Sequence, residues 1–277
     1  MKQRIMTFNL RMDTPEDKEN SWPNRKELVS TVINKYDPLI FGTQEGTYPM
    51  LQDLEGLLPK FAFVGEGRDG AKSDEFCAIF YKKESVKIIN SGTFWLSETP
   101  DIEGSKSWNT ACPRICTWVH FFLRDFNEEL LVFNTHLDHI SAEARERGIV
   151  LIYNKILKMN QEKILPTILM GDFNSTPESN VVQLLRGEKY SQIETPMNSK
   201  ESLSLTSGNI SLIDCFSNVN DIGCTAHSFT GKTSGLPIDY IFVSEKITIL
   251  KTLIVKDNRD QRYPSDHYPV MAELSID

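Results

Sequence analysis

Leu130-Leu131-Val132-Phe133-Asn134 is an apolar run that ends in an amide, and Thr135-His136-Leu137-Asp138-His139 follows it at once. Ser141 can cap the helix that comes next, on which Ile149, Ile152, Ile156 and Met159 recur at helical spacing. Residues 167–170 then form a second short apolar run, which ends in Gly171-Asp172-Phe173-Asn174. The reading is strand, helix, strand, with polar side chains at the ends of the strands. The same order appears near the N-terminus. Ser21-Trp22-Pro23 opens a helix on which Leu28, Val29, Val32, Ile33 and Tyr36 share a face until Asp37-Pro38 ends it. Leu39-Ile40-Phe41-Gly42 then runs into Thr43-Gln44-Glu45, which sets a carboxylate at a strand's end.

Working outward, Leu51, Leu54, Leu57 and Leu58 mark a second helix stopped by Pro59, and strands are expected over 61–64, 76–81 and 86–89. Residues 65–74 read as a polar loop and 97–113 as a long one, and long loops in compact domains are often functional. A strand over 115–123, a turn at 125–128, and two late strands over 238–243 and 270–274 complete the pattern; the last two lie beside Asp239 and Asp266-His267. Helices mixed with buried strands and hairpins favour an α/β sandwich over an all-parallel doubly wound sheet. With no internal repeat or Pro-rich linker, residues 1–277 are expected to form a single domain.

Composition narrows the class. A chain of 277 residues, 40% hydrophobic and 25% charged, is an ordinary globular protein with a sizeable core. Thirty Lys+Arg against 38 Asp+Glu leave a formal charge of −8. Such a balance argues against gripping long nucleic acid through a broad basic field, so no strong duplex binding is expected. Cys77, Cys112, Cys116, Cys215 and Cys224 are odd in number and form no CxxC pair, which fits a reducing compartment and no structural zinc. The opening residues have no apolar leader, and no stretch of about 18 apolar residues occurs. The chain therefore reads as cytoplasmic, or exported where a signal peptide has been removed, with no integral membrane association.

An acid after a strand is by itself usually a turn or cap residue. Here Asn9, Glu45, His136, Asp172, Asn174, Asp239, Asp266 and His267 all stand beside apolar strands, and strand ends gathered at one edge make a site on a rigid frame. Carboxylate and amide oxygens suit Mg²⁺ or Mn²⁺, and without a His-x-x-x-His or cysteine cluster zinc is the poorer match. Ser265-Asp266-His267 is not a protease triad, because triad members come from separated segments. His120 lies in an alternating strand run and reads as structural, and His139 as a peripheral group.

Six motifs together carry a family resemblance: Thr7-Phe8-Asn9-Leu10, Gln44-Glu45, Asn134-Thr135-His136-Leu137, Gly171-Asp172-Phe173-Asn174, Ile238-Asp239-Tyr240-Ile241-Phe242-Val243 and Ser265-Asp266-His267-Tyr268-Pro269. In that order they resemble the endonuclease/exonuclease/phosphatase superfamily, whose members include deoxyribonuclease I, deadenylases and inositol-polyphosphate phosphatases. The resemblance implies a four-layer sandwich of two mainly antiparallel mixed β-sheets flanked by helices. It also implies a metal held by Glu45, with Asn9 and Asp266 completing or supporting the coordination. Asp172 would orient or deprotonate the attacking water, Asn174 would hold a phosphoryl oxygen, and His136 would contact the phosphate. His267, set by Asp239, would serve in proton transfer.

Ser21-Trp22-Pro23-Asn24-Arg25, Gly65-Glu66-Gly67-Arg68-Asp69, the run 91–100 and Pro113-Arg114-Ile115-Cys116-Thr117-Trp118 are similar to an uncharacterised microbial branch nearer the deadenylase-like members. Some superfamily nucleases carry a phosphate-contacting tyrosine near the position of Arg114, and this chain has no obvious equivalent there. Arg25, Arg114, Arg145 and His227 are the candidate substrate anchors, with Arg68 a further phosphate candidate and Trp22, Trp95 and Trp108 available for stacking. The expectation is a monomeric Mg²⁺- or Mn²⁺-dependent phosphoesterase taking a phosphorylated small molecule or a short oligonucleotide. The alternatives are a nuclease or deadenylase-like exonuclease and a catalytically silent binding scaffold. A scaffold would have no need to keep both the metal carboxylates and the Asp/His relay.

Overall fold

Residues 2–188 and 210–276 are described by the computed structural model. The chain enters through β1 (Lys2–Asn9), crosses by α1 (Trp22–Tyr36) to β2 (Ile40–Gln44), and continues through β3 (Gly46–Thr47), α2 (Tyr48–Leu57), β4 (Phe61–Val64), β5 (Glu75–Phe76) and β6 (Ile79–Lys82). It then builds β7 (Val86–Trp95), β8 (Ile115–Leu123) and β9 (Glu128–His136), crosses by α3 (Ala142–Met159) to β10 (Thr167–Asp172), and passes through α4 (Asn180–Leu185) and β11 (Leu212–Asp214). β12 (Asp239–Ser244), β13 (Ile247–Ile254) and β14 (Val270–Ile276) complete it.

Among the described residues two six-stranded sheets result, ordered β13-β14-β1-β2-β6-β4 and β11-β12-β10-β9-β8-β7. Each has one parallel pair, β1 with β2 and β9 with β10, and every other pairing within it is antiparallel. Parallel neighbours need a long crossover, and α1 and α3 supply it. The outer face of the first sheet, with Met6, Phe8, Phe41 and Phe80, packs on Val29, Val32 and Ile33 of α1 and Leu51 and Leu54 of α2. α3 and α4 cover the second sheet through Ile149, Ile152, Ile156 and Val182. The result is the expected α/β/β/α sandwich.

Between the sheets the side chains change character toward one end. Ile5, Ile40 and Ala272 are in register in the first sheet, as are Val132, Ile168 and Val243 in the second, and all are buried in one apolar cluster. Two residues along, Thr7, Gly42 and Val270 accompany Asn134, Met170 and Ile241. Two further along, Asn9 and Gln44 accompany His136, Asp172 and Asp239. Period-two alternation keeps each set on the inner face, so polarity rises in layers toward the ends of the parallel strands.

Three local expectations change. The strand over 76–81 is broken at Cys77-Ala78, because β5 leaves to pair with β3 in a separate ribbon. The strand from Val86 runs on to Trp95 with a register shift between Ile88 and Asn90. β13, an edge strand with a register shift between Ile249 and Lys251, was not anticipated. The helix after Ser21 begins without a side-chain cap bond, whereas Ser141 accepts from Ala144 N as expected.

Candidate active site

Asn9 ends β1, and its amide joins the two sheets. Nδ2 donates to Glu45 Oε1 at 2.9 Å and to Asp172 Oδ2 at 3.0 Å, while Oδ1 accepts from Arg11 N at 2.9 Å. Glu45 directly follows β2, and its Oε2 accepts from Met12 N at 3.1 Å. Its φ of 60° is unusual for a residue with a side chain, and such strain concentrates at functional sites. Asn174 also has positive φ, at 47°, in a conformation that asparagine tolerates. At Gly171 a Cβ would lie 1.9 Å from Thr135 O, so only glycine lets β10 approach β9 closely enough to bring Asp172 beside His136.

On the second sheet, His136 Nε2 lies 3.5 Å from Asp172 Oδ2 and 3.0 Å from Asn174 Nδ2. Asn174 Nδ2 also donates to Leu137 O at 3.0 Å, and Asp172 Oδ1 accepts from Asn174 N. His267 reaches in from the segment before β14. Its Nδ1 is 2.9 Å from Asp239 Oδ2 and 3.9 Å from Asp172 Oδ2, which is the Asp/His pair the motifs imply. Ser265 Oγ donates to Asn9 O at 2.7 Å and lies 3.2 Å from Asp266 Oδ1, tying that segment to β1.

The electrostatics differ across the site. Burial, with help from Asp239, pushes Asp172 up to about 7, and burial also raises Asp266. Burial opposes the charged form of His267, yet Asp239, Asp172 and Asp266 together hold its pKa well above the usual histidine value. His136 goes the other way, well below it, through burial and the nearby cationic Arg114. The surroundings thus favour the charged form of one histidine and the neutral form of the other.

Two groups could hold a metal ion among the described residues: Glu45, His136 and Asp172, and Asp172, Asp239 and His267. The donor chemistry fits a hard divalent cation, since two carboxylates crowd one amide and a third, Asp266, feels Glu45 as a like charge. Asn9 offers these acids its NH₂ rather than its oxygen, so direct ligation by Asn9 requires the amide to turn over and release Arg11 N.

The expected substrate anchors do not gather as freely. Arg25 is buried, and its guanidinium serves the backbone: it donates to Asn20 O at 2.6 Å, Arg11 O at 2.5 Å and Pro264 O at 3.0 Å, and also to Leu10 O. The expectation for Arg25 is thereby corrected: it clamps the segments flanking Asn9 and Asp266, with four of its five N–H groups given to carbonyls. His227 is also corrected. It is only 3% exposed, stacked on Tyr268 at 3.9 Å, with Nδ1 accepting from Gly231 N, so its ring is part of the packing. Arg145 donates to Asp138 O, and Arg114 lies 3.7 Å from Asp138 with Nη2 2.8 Å from His139 Nδ1; both therefore belong to the rim after β9. Arg68 pairs with Asp74 and Glu75. Trp22 and Trp95 are buried with their indoles bonded to Asp53 and Arg68 O, and Trp108 lies under Arg147. His120 pairs with Glu129 on a strand face, as expected. Sequence reasoning missed Arg11 and gave Ser265 no role of its own, because their contacts come from turns that no periodicity reveals.

A sequence profile described as the endonuclease/exonuclease/phosphatase family matches residues 6–267. The mannosyl-6-phosphatase of Bacteroides thetaiotaomicron is 31% identical, with 99% of each chain covered and a TM-score of 0.84. A family protein of unstated activity from the same organism is 30% identical over 100% of this chain and 96% of that one, with a TM-score of 0.87. The human nocturnin catalytic domain shares the fold at 18% identity, covering 100% of this chain and 94% of that one, with a TM-score of 0.72. The CCR4-Not complex 3'-5'-exoribonuclease subunit Ccr4 of Kluyveromyces lactis is 24% identical over 92% of this chain but only 38% of its own length. This chain therefore spans about two fifths of that relative. Among the described residues, no helix is long and apolar enough to cross a membrane.

Proposed function

Because the chain belongs to the endonuclease/exonuclease/phosphatase family, we propose that it hydrolyses a phosphoric ester of a small molecule with the help of Mg²⁺ or Mn²⁺. The observation that carries the reading is the meeting of Glu45, Asn9, Asp172, Asn174, His136, His267 and Asp239 at one edge of the sandwich. Glu45, with Asp266 behind it, would hold the metal, which supplies neutralisation of the phosphate and of the leaving oxygen.

The chain's own groups do the rest. Asp172, pushed up to about 7, is poised to accept a proton from water near neutrality. His267, cationic and fixed by Asp239, donates to a phosphate oxygen, and neutral His136 lines the other side with Asn174. A phosphoryl oxygen at Asn174 Nδ2 replaces His136 Nε2, its present partner.

The small-substrate reading is supported by the mannosyl-6-phosphatase match over nearly the whole chain and by the net charge of −8. The Ccr4 match favours a second reading, an exonuclease on RNA. Purified protein with Mg²⁺ or Mn²⁺ should be assayed on sugar phosphates, inositol phosphates, nucleotides, poly(A), oligonucleotides and plasmid DNA. The expected winner is a small phosphorylated molecule, with a KM that changes little from low to physiological salt. Efficient cleavage of poly(A) or plasmid with a steep salt dependence would put the nuclease first.

A further inference from the structure

We propose that Gln44 and Asn134 form a latch between the sheets that sets the distance from Glu45 to the His136–Asp172 edge. This role rests on the functional reading of that edge given above. Gln44 Nε2 donates to Asn134 Oδ1 at 2.7 Å and to Thr7 Oγ1 at 3.0 Å. Asn134 Nδ2 donates back across the interface to Thr43 O and Ala78 O, both at 2.9 Å. One amide of the second sheet therefore grips β2 by side chain and backbone, and also the segment before β6. Glycine at 42 makes room for it: a Cβ there would stand 2.7 Å from Asn134 Cγ and 2.9 Å from Met170 Cε.

Stability alone does not explain this arrangement. All the groups are fully buried, and among the described residues Gln44 Oε1 and Thr43 Oγ1 have no partner, a destabilising condition for buried acceptors. One layer away, Ile5, Ile40, Val132 and Ile168 join the same sheets with apolar contacts alone. What distinguishes the amide layer is its place. Gln44 immediately precedes Glu45, and Asn134 stands two residues before His136 on the same strand face. Directional bonds fix both spacing and register here, whereas apolar packing allows the sheets to slide. Gln44 and Asn134 are thus positioning residues that touch neither metal nor substrate.

Three measurements separate this role from a merely structural one: melting temperature without metal, Mn²⁺ affinity by calorimetry, and kcat with KM. Asn134→Leu should lower the melting temperature, because it leaves Gln44 and two carbonyls short of a partner. Adding Gln44→Leu should recover the share of the loss that comes from the stranded Gln44 amide, though not the share from the carbonyls, while Mn²⁺ binds at least tenfold more weakly and kcat falls at least thirtyfold. Stability and function then part company. Regained stability with Mn²⁺ affinity and kcat within threefold of the unaltered protein would overturn the latch. Should the double variant not fold, Gln44→Met keeps the volume and removes the two bonds that Nε2 donates together with the unpartnered Oε1; at least fivefold weaker Mn²⁺ binding is expected, and unchanged binding overturns the proposal. If the unaltered protein binds Mn²⁺ but cleaves nothing on the panel, the functional reading fails while affinity and melting temperature still judge the latch. No Mn²⁺ binding at all would sink both.

Discussion

β1–α1–β2 and β9–α3–β10 are the same device used twice, a parallel pair joined by a helix inside an otherwise antiparallel sheet. Each sends polar side chains out of its strand ends, yet the two ends differ in chemistry. At the first, Glu45 is half-buried beside the half-buried Asp266. At the second, His136 and Asp172 are buried, the imidazole pushed down and the carboxyl pushed up. One contrast between the two ends is cover. Asp138, just past β9, holds Thr110 and Ala111 of the long loop, and Ser141 Oγ donates to Trp108 O, so that loop lies against the chain end that follows His136. Identical topology thus yields a half-buried acidic edge at one strand end and a buried edge at the other.

Substituting one group on each side tests that division. Asp172→Asn should have the larger effect, a loss of about 10³-fold in kcat/KM, the scale of a missing general base, with no recovery at high metal. Its melting temperature without metal should hold or rise at pH 8. A carboxyl whose folded pKa is raised to about 7 destabilises the fold above its unfolded value of about 4, and the amide removes that cost. Glu45→Gln should do less to turnover at saturating metal, because its main loss is metal affinity, by at least tenfold in calorimetry, with activity partly regained as Mn²⁺ is raised. If Glu45→Gln resists rescue, or Asp172→Asn is rescued, the two edges do not divide the work this way.

The strand ends were legible in the sequence because a continuous apolar run stopping at an acid or amide is local information. Glu45, Asp172 and the Asp239–His267 pair are cases in point. What escaped was set by partners that no helical or strand spacing connects. Arg25 looked like a phosphate anchor because a guanidinium can grip phosphate bidentately, but its carbonyl partners lie at Leu10, Arg11, Asn20 and Pro264. His227 stood in a polar stretch, and only the fold brings Tyr263 and Tyr268 against its ring. β13 escaped for a different reason: at its register shift Leu250 turns outward, 43% exposed, so the alternation fails where a reader looks for it.

The smallest expected effect concerns the cover itself. Asp138 Oδ1 accepts from Thr110 Oγ1 at 2.7 Å and Ala111 N at 3.0 Å, and Oδ2 from Ile140 N at 2.9 Å and Ser141 N at 2.7 Å. Burial alone would raise this carboxyl, but the donors outweigh it and hold the group down to about 2. A depressed carboxylate adds stability that is complete above its unfolded value of about 4 and is lost as pH falls toward 2. Asp138→Asn lacks that charge at every pH. Scanning calorimetry of the metal-free proteins should therefore find the variant about 5 °C less stable at pH 6, with the gap closing as pH drops from 4 to 3. A gap that stays constant with pH would mean that the charge is not what ties the long loop to the second strand end, and the contrast in burial would need another cause.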